Sequence, residues 1–357
     1  MNKNRISKII IGAMAFIGTV TLIPTALACT RAVYLGPEDL VITARSMDWK
    51  EDLHSDLWLF PRGMERNGNA GPNSVVWTSK YGSVITAAYN IASTDGMNEK
   101  GLVVNMLWLA ESQYPEPSAG KPNISLAAWG QYVLDNFASV DEAVNYFKNE
   151  PITVLTSKVP GQERLGTIHL SLSDASGDSA VFEYVGGKLI IHHSREYQVV
   201  TNSPTYDKQL AINSYWERIG GTTMLPGTNS SSDRFVRAQF YINAIPKYTD
   251  KQLATASVLS VIRSVSVPFG ISTPDEPNIS STRWRTLSDQ KNKIYYFEST
   301  LMPNTFWVDF NKVNFSTTSE VKILQLNTPQ AAHYTGDVSS YFKAEKPFIF
   351  EPVIPTT

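Results

Sequence analysis

Hydrophobic residues are concentrated most strongly near the start of the chain, in an uninterrupted apolar run over residues 9–23. Basic residues precede this run, Pro24 ends it, and the segment Ala26–Ala28 supplies the small residues of an A-x-A cleavage site. The run is shorter than the roughly 18 apolar residues that a membrane helix needs. The pattern therefore predicts a signal peptide over residues 1–28, with an uncleaved anchor helix as the alternative, and Cys29 as the first residue after cleavage.

Beyond the signal peptide, short segments rich in β-branched and aromatic residues predict strands, and segments of helical periodicity interrupt them. A first hairpin is predicted at 31–35 and 40–49, further strands at 74–80, 83–92, 101–110, 167–193, 293–300 and 305–310, and a turn at 94–101. Helices are predicted at 125–138, 139–149, 231–245 and 254–265, the second opened by the capping box Ser139-x-x-Glu142. No linker or internal repeat divides the chain, so we expect one domain over 29–357, with sheets between helix layers.

Composition narrows the class of protein. Hydrophobic residues make up 42% of the chain and charged residues 18%, with a formal net charge of −2. The sequence lacks both the basic character of a nucleic-acid-binding protein and the composition of a disordered chain. No metal-ligand spacing, phosphate-binding loop or haem motif occurs, so the sequence predicts no cofactor. These features favour an ordinary globular protein.

The chemistry of the sequence centres on Cys29, the only cysteine of the chain. Exported proteins usually pair their cysteines, so a lone one indicates an intermolecular disulfide or a free reactive thiol. Lipidation is a further alternative, but Ala26 and Leu27 stand in the reverse of the order that a lipoprotein signal requires. At the N-terminus, Cys29 could use its own α-amine as the general base for its thiol. Nucleophile and base then come from one residue, and none of the five histidines is required.

The segment 29–49, CTRAVYLGPEDLVITARSMDW, resembles the opening of the choloylglycine hydrolase family of N-terminal nucleophile hydrolases, which includes penicillin V acylases and bile salt hydrolases. Further similar segments follow in the family's order at 95–102, 174–184, 199–210 and 231–238. The resemblance implies an α+β fold, a four-layer αββα sandwich, which agrees with the predicted elements. It also implies hydrolysis of linear, non-peptide amide bonds with Cys29 as the nucleophile.

Two charged residues of the opening segment match active-site residues of that family. Arg45 and Asp48 lie 16 and 19 residues after Cys29, at the spacing that the family uses. A guanidinium near sulfur favours the thiolate, and a carboxylate can fix the orientation of the α-amine by a charge-assisted hydrogen bond. Without the resemblance, a surface ion pair at the end of a strand would be the default interpretation.

The remaining predicted site residues come from later segments and from a tryptophan pair. Asn202 matches the asparagine whose side-chain amide helps to form the oxyanion hole. Arg234 matches the second active-site arginine, and Arg237, one helical turn away, stays an alternative. The backbone N–H of Trp108 would be the other oxyanion donor, and the indoles of Trp49 and Trp108 would suit a flat aromatic or extended apolar acyl group. The competing interpretation makes both tryptophans core residues.

The resemblance also implies substrates, location and assembly. Penicillin V and long-chain acyl-homoserine lactones are the implied substrate classes, with conjugated bile salts as the alternative within the family. Asn202 and Arg234 are 32 residues apart, and this short interval resembles the Gram-negative branch, which lacks an inter-subunit assembly loop. With the signal peptide, it predicts a periplasmic or secreted protein of a Gram-negative bacterium, free of the membrane after cleavage. A homo-oligomer, a tetramer by resemblance, is expected.

Two hypotheses from other classes of protein remain at this point. Ser-x-x-Lys occurs at Ser118 and Lys121 and again at Ser288 and Lys291, as in serine β-lactamases and penicillin-binding proteins. Neither pair is accompanied by the Ser-Asp-Asn or Lys-Thr-Gly motif of those enzymes. A non-catalytic periplasmic binding protein on the same fold would be expected to have lost Cys29, and this chain has not.

Overall fold

The computed structural model describes residues 29–117, 120–272 and 280–353. The predicted signal peptide and Ser118 lie outside the described residues. No helix of the described part of the chain combines the length and the apolar character that crossing a membrane requires.

The described residues form twenty strands in four sheets. In chain order the strands are β1 (Cys29–Leu35), β2 (Val41–Trp49), β3 (Leu57–Phe60), β4 (Glu65–Asn67), β5 (Val76–Thr78), β6 (Ser83–Ala88), β7 (Ala92–Asn98), β8 (Val103–Trp108), β9 (Asn123–Ser125), β10 (Thr153–Leu155), β11 (Ile168–Ser173), β12 (Ser179–Val185), β13 (Lys188–His193), β14 (Val199–Val200), β15 (Ser281–Asp289), β16 (Ile294–Ser299), β17 (Thr305–Asp309), β18 (Lys322–Leu324), β19 (Gly336–Asp337) and β20 (Lys343–Ala344). The predicted first hairpin is β1 and β2, which pair antiparallel over the whole length of β1.

Two large sheets form the centre of the molecule. The first has seven strands in the order β14-β1-β2-β15-β16-β17-β19, and the second has nine in the order β13-β12-β11-β8-β7-β6-β3-β18-β20. All nine residues of β2 are buried. A strand is buried on both faces only when each face is covered by another layer, so β2 lies within the sandwich and not on its surface.

Five α-helices supply the outer layers: α1 (Leu126–Asn136), α2 (Val140–Phe147), α3 (Tyr206–Ile219), α4 (Ser231–Ala244) and α5 (Lys251–Ser264). Helices α1 and α2 pack on the nine-stranded sheet, while α4 and α5 pack on β1 and β2 of the seven-stranded sheet. The predicted cap of α2 is present, because Ser139 Oγ accepts from the Glu142 N–H at 3.2 Å. The order helix, sheet, sheet, helix confirms the predicted four-layer αββα sandwich.

One predicted turn is too long, and the error concerns a strand close to the site. The sequence predicts a turn at 94–101, but Asp95 and Asn98 lie in β7, and the chain turns only at 99–101, where the Gly101 N–H donates to the Asn98 carbonyl at 2.8 Å. The sequence misleads because Asp and Asn are typical turn residues. Here both are buried with hydrogen-bond partners: Asp95 accepts from Asn105 Nδ2 at 2.7 Å. The pattern also failed to predict β15 and α3.

Candidate active site

Cys29 is the first residue of β1 and is 3% exposed. The register of the β1–β2 pair places it opposite Met47, and opposed residues of a strand pair point to the same face. Cys29 Sγ accordingly lies 3.8 Å from Met47 Sδ. Because side chains alternate along a strand, Arg45, Met47 and Trp49 share one face of β2, and Asp48 points to the other. The thiol therefore faces the second sheet.

Arg45 is fully buried beside the thiol. Its Nη2 lies 3.7 Å from Cys29 Sγ and donates to the Met106 carbonyl at 2.7 Å. Its Nη1 lies 3.6 Å from Asp95 Oδ2, and its guanidinium stacks over Trp284 at 4.8 Å. A cation held this close to sulfur favours the thiolate over the thiol. The geometry thus suits the charge-stabilising role that the resemblance implies for Arg45.

Asp48 occupies the opposite face of β2, toward α4. Its Oδ1 accepts from Thr282 Oγ1 at 2.5 Å, and its Oδ2 lies 3.9 Å from Arg234 Nη1. The sequence suggested that this carboxylate binds the nitrogen of Cys29. The Cys29 nitrogen, which carries a single hydrogen while it is part of a peptide bond, donates to Asn202 Oδ1 at 2.5 Å. The alternation of faces along β2 directs the Asp48 carboxylate toward Arg234. A contact between Asp48 and the free α-amine of Cys29 stays a prediction.

Asn202 connects the Cys29 nitrogen to the second sheet. Besides that nitrogen, Oδ1 accepts from Arg234 Nη2 at 2.9 Å, and Nδ2 donates to the Trp108 carbonyl at 2.7 Å. An amide group carries two hydrogens, so one hydrogen of Nδ2 is left for a substrate oxygen. Leu109 N–H points to the neighbouring strand β11, at Thr167 O. Backbone groups alternate along a strand, so the Trp108 N–H faces the opposite side, toward Asn202.

The structure brings Arg234, and not Arg237, to the site. Arg234 Nη1 donates to the Cys29 carbonyl at 2.7 Å and to Thr30 Oγ1 at 2.5 Å, and the side chain is fully buried. Arg237 is only partly buried and donates to the Pro226 and Thr228 carbonyls at 2.8 and 2.7 Å. The two arginines therefore provide a matched pair for mutagenesis, one inside the site and one outside it.

An apolar cleft opens directly above the thiol. Its walls include Cys29, Met47, Trp49, Leu53, Tyr89, Trp108, Val159 and Ile168, and it holds about 800 Å³ of atom-free space, the open mouth included. The indole centroids of Trp49 and Trp108 are 5.7 Å apart. Both tryptophans thus line the cleft while contacting the core, so neither of the two competing interpretations from the sequence excludes the other.

A hairpin that the sequence did not predict forms part of the cleft wall. Ser157 pairs with Gly166, and Val159 with the Arg164 carbonyl, through backbone hydrogen bonds. The Arg164 guanidinium lies 4.5 Å from the Trp108 ring and 5.4 Å from the Trp49 ring. Cations are attracted to aromatic faces at this distance, so Arg164 links the hairpin to the tryptophan pair. The path of the chain brings these residues together, so no local sequence motif predicts the hairpin or its contact with the two tryptophans.

The Asp48 carboxyl group should make the free energy of unfolding depend on pH. Burial raises its pKa to about 6, against the opposing effects of Arg234 and Thr282. Between about pH 4 and 6 the folded protein keeps a proton that the unfolded chain has released, so this carboxyl lowers the free energy of unfolding as the pH rises through that range. Asp48→Asn does not titrate. We expect its stability relative to the parent protein to increase between pH 4 and 8, by up to about 3 kcal/mol.

Thermal unfolding of the parent protein and of Asp48→Asn across that pH range measures the difference. The amide oxygen of the variant can still accept from Thr282 Oγ1, and any weakening of this hydrogen bond would offset the two curves equally at every pH. A stability difference that stays constant from pH 4 to pH 8 would show that Asp48 does not titrate abnormally in the folded protein.

The four-layer fold, with a buried, arginine-flanked cysteine at the start of a strand, is the fold of the N-terminal nucleophile hydrolases. The family of linear amide C–N hydrolases known as the choloylglycine hydrolase family matches residues 29–323. The chain belongs to this family, and it is therefore an amide hydrolase. The matched residues include every site residue that the sequence predicted. Ser288, proposed from its Ser-x-x-Lys pattern, is 2% exposed within β15.

Within this family, the chain is more similar to a penicillin V acylase than to a bile salt hydrolase/transferase. It is 50% identical to a penicillin V acylase of Pectobacterium atrosepticum, over 98% of this chain and 99% of that one. A bile salt hydrolase/transferase of Clostridium perfringens is 26% identical over 84% of this chain and 97% of its own.

Among solved structures, a penicillin V acylase also superposes more closely on this chain than a bile acid hydrolase does. The penicillin V acylase of Agrobacterium tumefaciens superposes with a TM-score of 0.85 and 59% identity, over 91% of this chain and all of that one. A variant of the conjugated bile acid hydrolase of Clostridium perfringens gives 0.71 and 25%, over 84% of this chain and 97% of its own.

Proposed function

We propose that the protein hydrolyses the side-chain amide of phenoxyacetyl penicillins, and also deacylates long-chain acyl-homoserine lactones. The observation that carries the proposal is the apolar cleft, walled by Trp49 and Trp108, that ends at Cys29 Sγ. A flat aromatic or long apolar acyl group would bury its surface against the two indoles and bring its carbonyl to the thiol. The penicillin V acylase of Pectobacterium atrosepticum, which is 50% identical to this chain, supports the same substrate class.

The acylation step follows from the contacts of Cys29. Removal of the signal peptide turns its nitrogen into an α-amine, one hydrogen of which is accepted by Asn202 Oδ1. The amine takes the thiol proton, and the thiolate, favoured by Arg45, attacks the carbonyl carbon. The carbon–sulfur bond forms while the carbonyl π electrons move to oxygen. The second hydrogen of Asn202 Nδ2, whose first is donated to the Trp108 carbonyl, and the Trp108 N–H would donate to that oxyanion.

The tetrahedral intermediate then collapses, the C–N bond breaks, and the leaving nitrogen takes the proton from the α-ammonium group. The product amine departs and leaves a thioester on Cys29. In the second half, the α-amine takes a proton from water, and the resulting hydroxide attacks the thioester carbon. The carbon–sulfur bond breaks, sulfur recovers the proton, and the free acid is released.

Substrate preference tests the proposal directly. We expect measurable kcat/KM for the mature protein on penicillin V and on a long-chain acyl-homoserine lactone, and a much smaller value on glycocholate. Penicillin V should yield phenoxyacetate and intact 6-aminopenicillanic acid. A preference for glycocholate would make the protein a bile salt hydrolase and would contradict the assignment of the indole pair to aromatic acyl groups.

Replacing Trp108 by leucine should weaken substrate binding more than it slows the chemistry. The cleft loses an aromatic wall but keeps an apolar one, and the Trp108 backbone groups are unchanged. We expect KM for penicillin V to rise about tenfold, the order of magnitude of one lost aromatic contact, with kcat within about threefold of the parent value. Trp216→Leu, on the outer helix α3, is the matched control. An unchanged KM would remove Trp108 from the acyl site.

Export and assembly form part of the same proposal. We propose that residues 1–28 are a signal peptide whose removal exposes Cys29 in the periplasm or outside the cell, and that the mature chain forms a homo-oligomer. Intact-mass analysis of the exported protein should give a chain that begins at an unmodified Cys29, and light scattering gives its subunit number. An active protein with a retained leader or a lipidated cysteine would contradict the N-terminal nucleophile.

A further inference from the structure

Asn202 lies in a short connection, residues 201–206, between β14 and the first turn of α3. This connection, named here the Asn202 segment, determines where the Asn202 amide stands relative to Cys29 and to Trp108. Two side chains of the second sheet, His169 on β11 and Glu183 on β12, reach its two ends. Both are 1% exposed, and the reaction described above uses neither.

Each ring nitrogen of His169 has one hydrogen-bond partner. Its Nε2 lies 2.8 Å from the Thr201 carbonyl oxygen, and its Nδ1 lies 3.0 Å from Glu183 Oε1. A carbonyl oxygen only accepts, and so does an ionised carboxylate. With Glu183 ionised, both ring nitrogens would donate, as they do in an imidazolium.

Glu183 is ionised in the folded protein. Burial raises its pKa, but hydrogen bonds from His169 and His192 and the charge of His169 outweigh burial and lower the pKa to about 2. The other charged and titratable groups around the pair are His192 on β13, with Nε2 3.4 Å from Glu183 Oε2, and Tyr206 and Asp207 on α3. Glu183 is thus a carboxylate throughout the neutral range.

The same carboxylate also holds the far end of the Asn202 segment. Both oxygens of Glu183 accept from the backbone N–H of Tyr206 at 3.1 Å, and Tyr206 is the first residue of α3. One buried, hydrogen-bonded pair of side chains therefore binds the carbonyl of residue 201 and the amide of residue 206. The residue that contacts the Cys29 nitrogen lies between these two anchors.

We propose that His169 is a positioning residue for amide hydrolysis: as an imidazolium paired with Glu183, it holds the Asn202 segment in place, so that the Asn202 amide is held against Cys29 and the developing oxyanion. His169 does not touch the substrate, because it lies beneath the segment and outside the cleft. The proposal depends on the family's reaction and on no particular acyl group.

The first test is the pair of variants His169→Gln and His169→Gln/Glu183→Gln. Glutamine at 169 can still donate to the Thr201 carbonyl, but it leaves the Glu183 carboxylate buried without its cation. We expect kcat to fall about 10- to 100-fold, with KM nearly unchanged, because a charge-assisted hydrogen bond is lost. With glutamine at both positions, the buried charge disappears and a neutral hydrogen-bonded pair replaces it. The double variant should recover at least tenfold of the loss.

His193→Gln is the matched control, because it breaks a His–carboxylate pair of the same sheet, with Asp178 at 2.7 Å, on the exposed edge strand β13. It should stay within about twofold of the parent kcat. A double variant as slow as His169→Gln, or slower, would mean that the pair merely fills the core. A single variant with parental kcat would also overturn the proposal.

A second measurement needs no variant to be active. Nitrogen-15 spectra of the ring nitrogens distinguish imidazolium from either neutral tautomer, and His169 is one of only five histidines in the chain. We expect one histidine, protonated on both nitrogens at pH 8, whose signals disappear in His169→Gln. If every histidine is neutral at that pH, the double-donor geometry is wrong, whatever the substrate of the enzyme proves to be.

Discussion

Cys29→Ala is expected to abolish amide hydrolysis while the protein remains folded. The side chain supplies the attacking atom, and no other cysteine occurs in the chain. Loss of the nucleophile in covalent catalysis typically costs at least about 10⁴-fold in kcat, even though the α-amine remains. The measurement is kcat for penicillin V and for any second substrate that the parent protein accepts. Removing one sulfur atom beside Met47 leaves only a small cavity, so the unfolding temperature should change little.

Cys29→Ser separates the sulfur from the geometry of the site. A hydroxyl at the same position keeps the α-amine and the Asn202 contact, but its far higher pKa makes it a poor nucleophile beside the same base. We expect it to bind substrate normally and to turn over at a rate close to that of the alanine variant. A serine variant with parental kcat would indicate that the nucleophile lies elsewhere.

The residues of this site that local pattern and spacing could predict lie within one strand pair, whereas Asn202, Trp108 and Arg234 were predicted from the resemblance alone. Cys29, Arg45 and Asp48 belong to one hairpin, and its strands could be read from their β-branched and aromatic residues. Their spacing, together with the resemblance, pointed to a thiol with a neighbouring cation. The choice between Arg234 and Arg237 was not accessible in the same way, because both lie on one helix and only packing decides which of them is buried.

The contacts between elements could not be predicted, for a physical reason. Asp95 in a Thr-Asp-Gly sequence is typical of a turn. Its burial in β7 is stabilised by partners from four other strands, namely Asn105, Thr286, Tyr295 and Arg45. His169 was dismissed because it belongs to no motif. Its partners, Glu183 and the Thr201 carbonyl, are 14 and 32 residues away.

Arg234 links the N-terminal cysteine to Asn202 and to Asp48. One guanidinium reaches the Cys29 carbonyl, Thr30 Oγ1 and Asn202 Oδ1, and lies 3.9 Å from Asp48. The planar fork of arginine can serve several acceptors at once, which the single ammonium of lysine cannot reproduce. The position of the Cys29 nitrogen relative to Asn202 therefore depends on this side chain.

Arg234→Met should have the second-largest effect on the enzyme. It leaves the Asp48 carboxyl buried without its cation, which costs about 3–5 kcal/mol of stability when the buried charge remains, and it frees Asn202 Oδ1 from one of its two donors. We expect kcat/KM to fall at least about 100-fold, and Arg234→Lys to restore little of it. Activity measured at a temperature where the variant is fully folded separates the catalytic loss from the loss of stability.

Arg237→Met provides the comparison. It removes an arginine one turn further along α4, and the Arg237 side chain makes no hydrogen bond to Cys29, Asn202 or Asp48. Its two bonds go to loop carbonyls at the partly exposed end of α4, so kcat/KM should stay within about threefold of the parent value. Equal losses in the two variants would mean that α4 acts through its overall packing. A loss confined to Arg234 would show that this single guanidinium orients the N-terminal cysteine for its reaction.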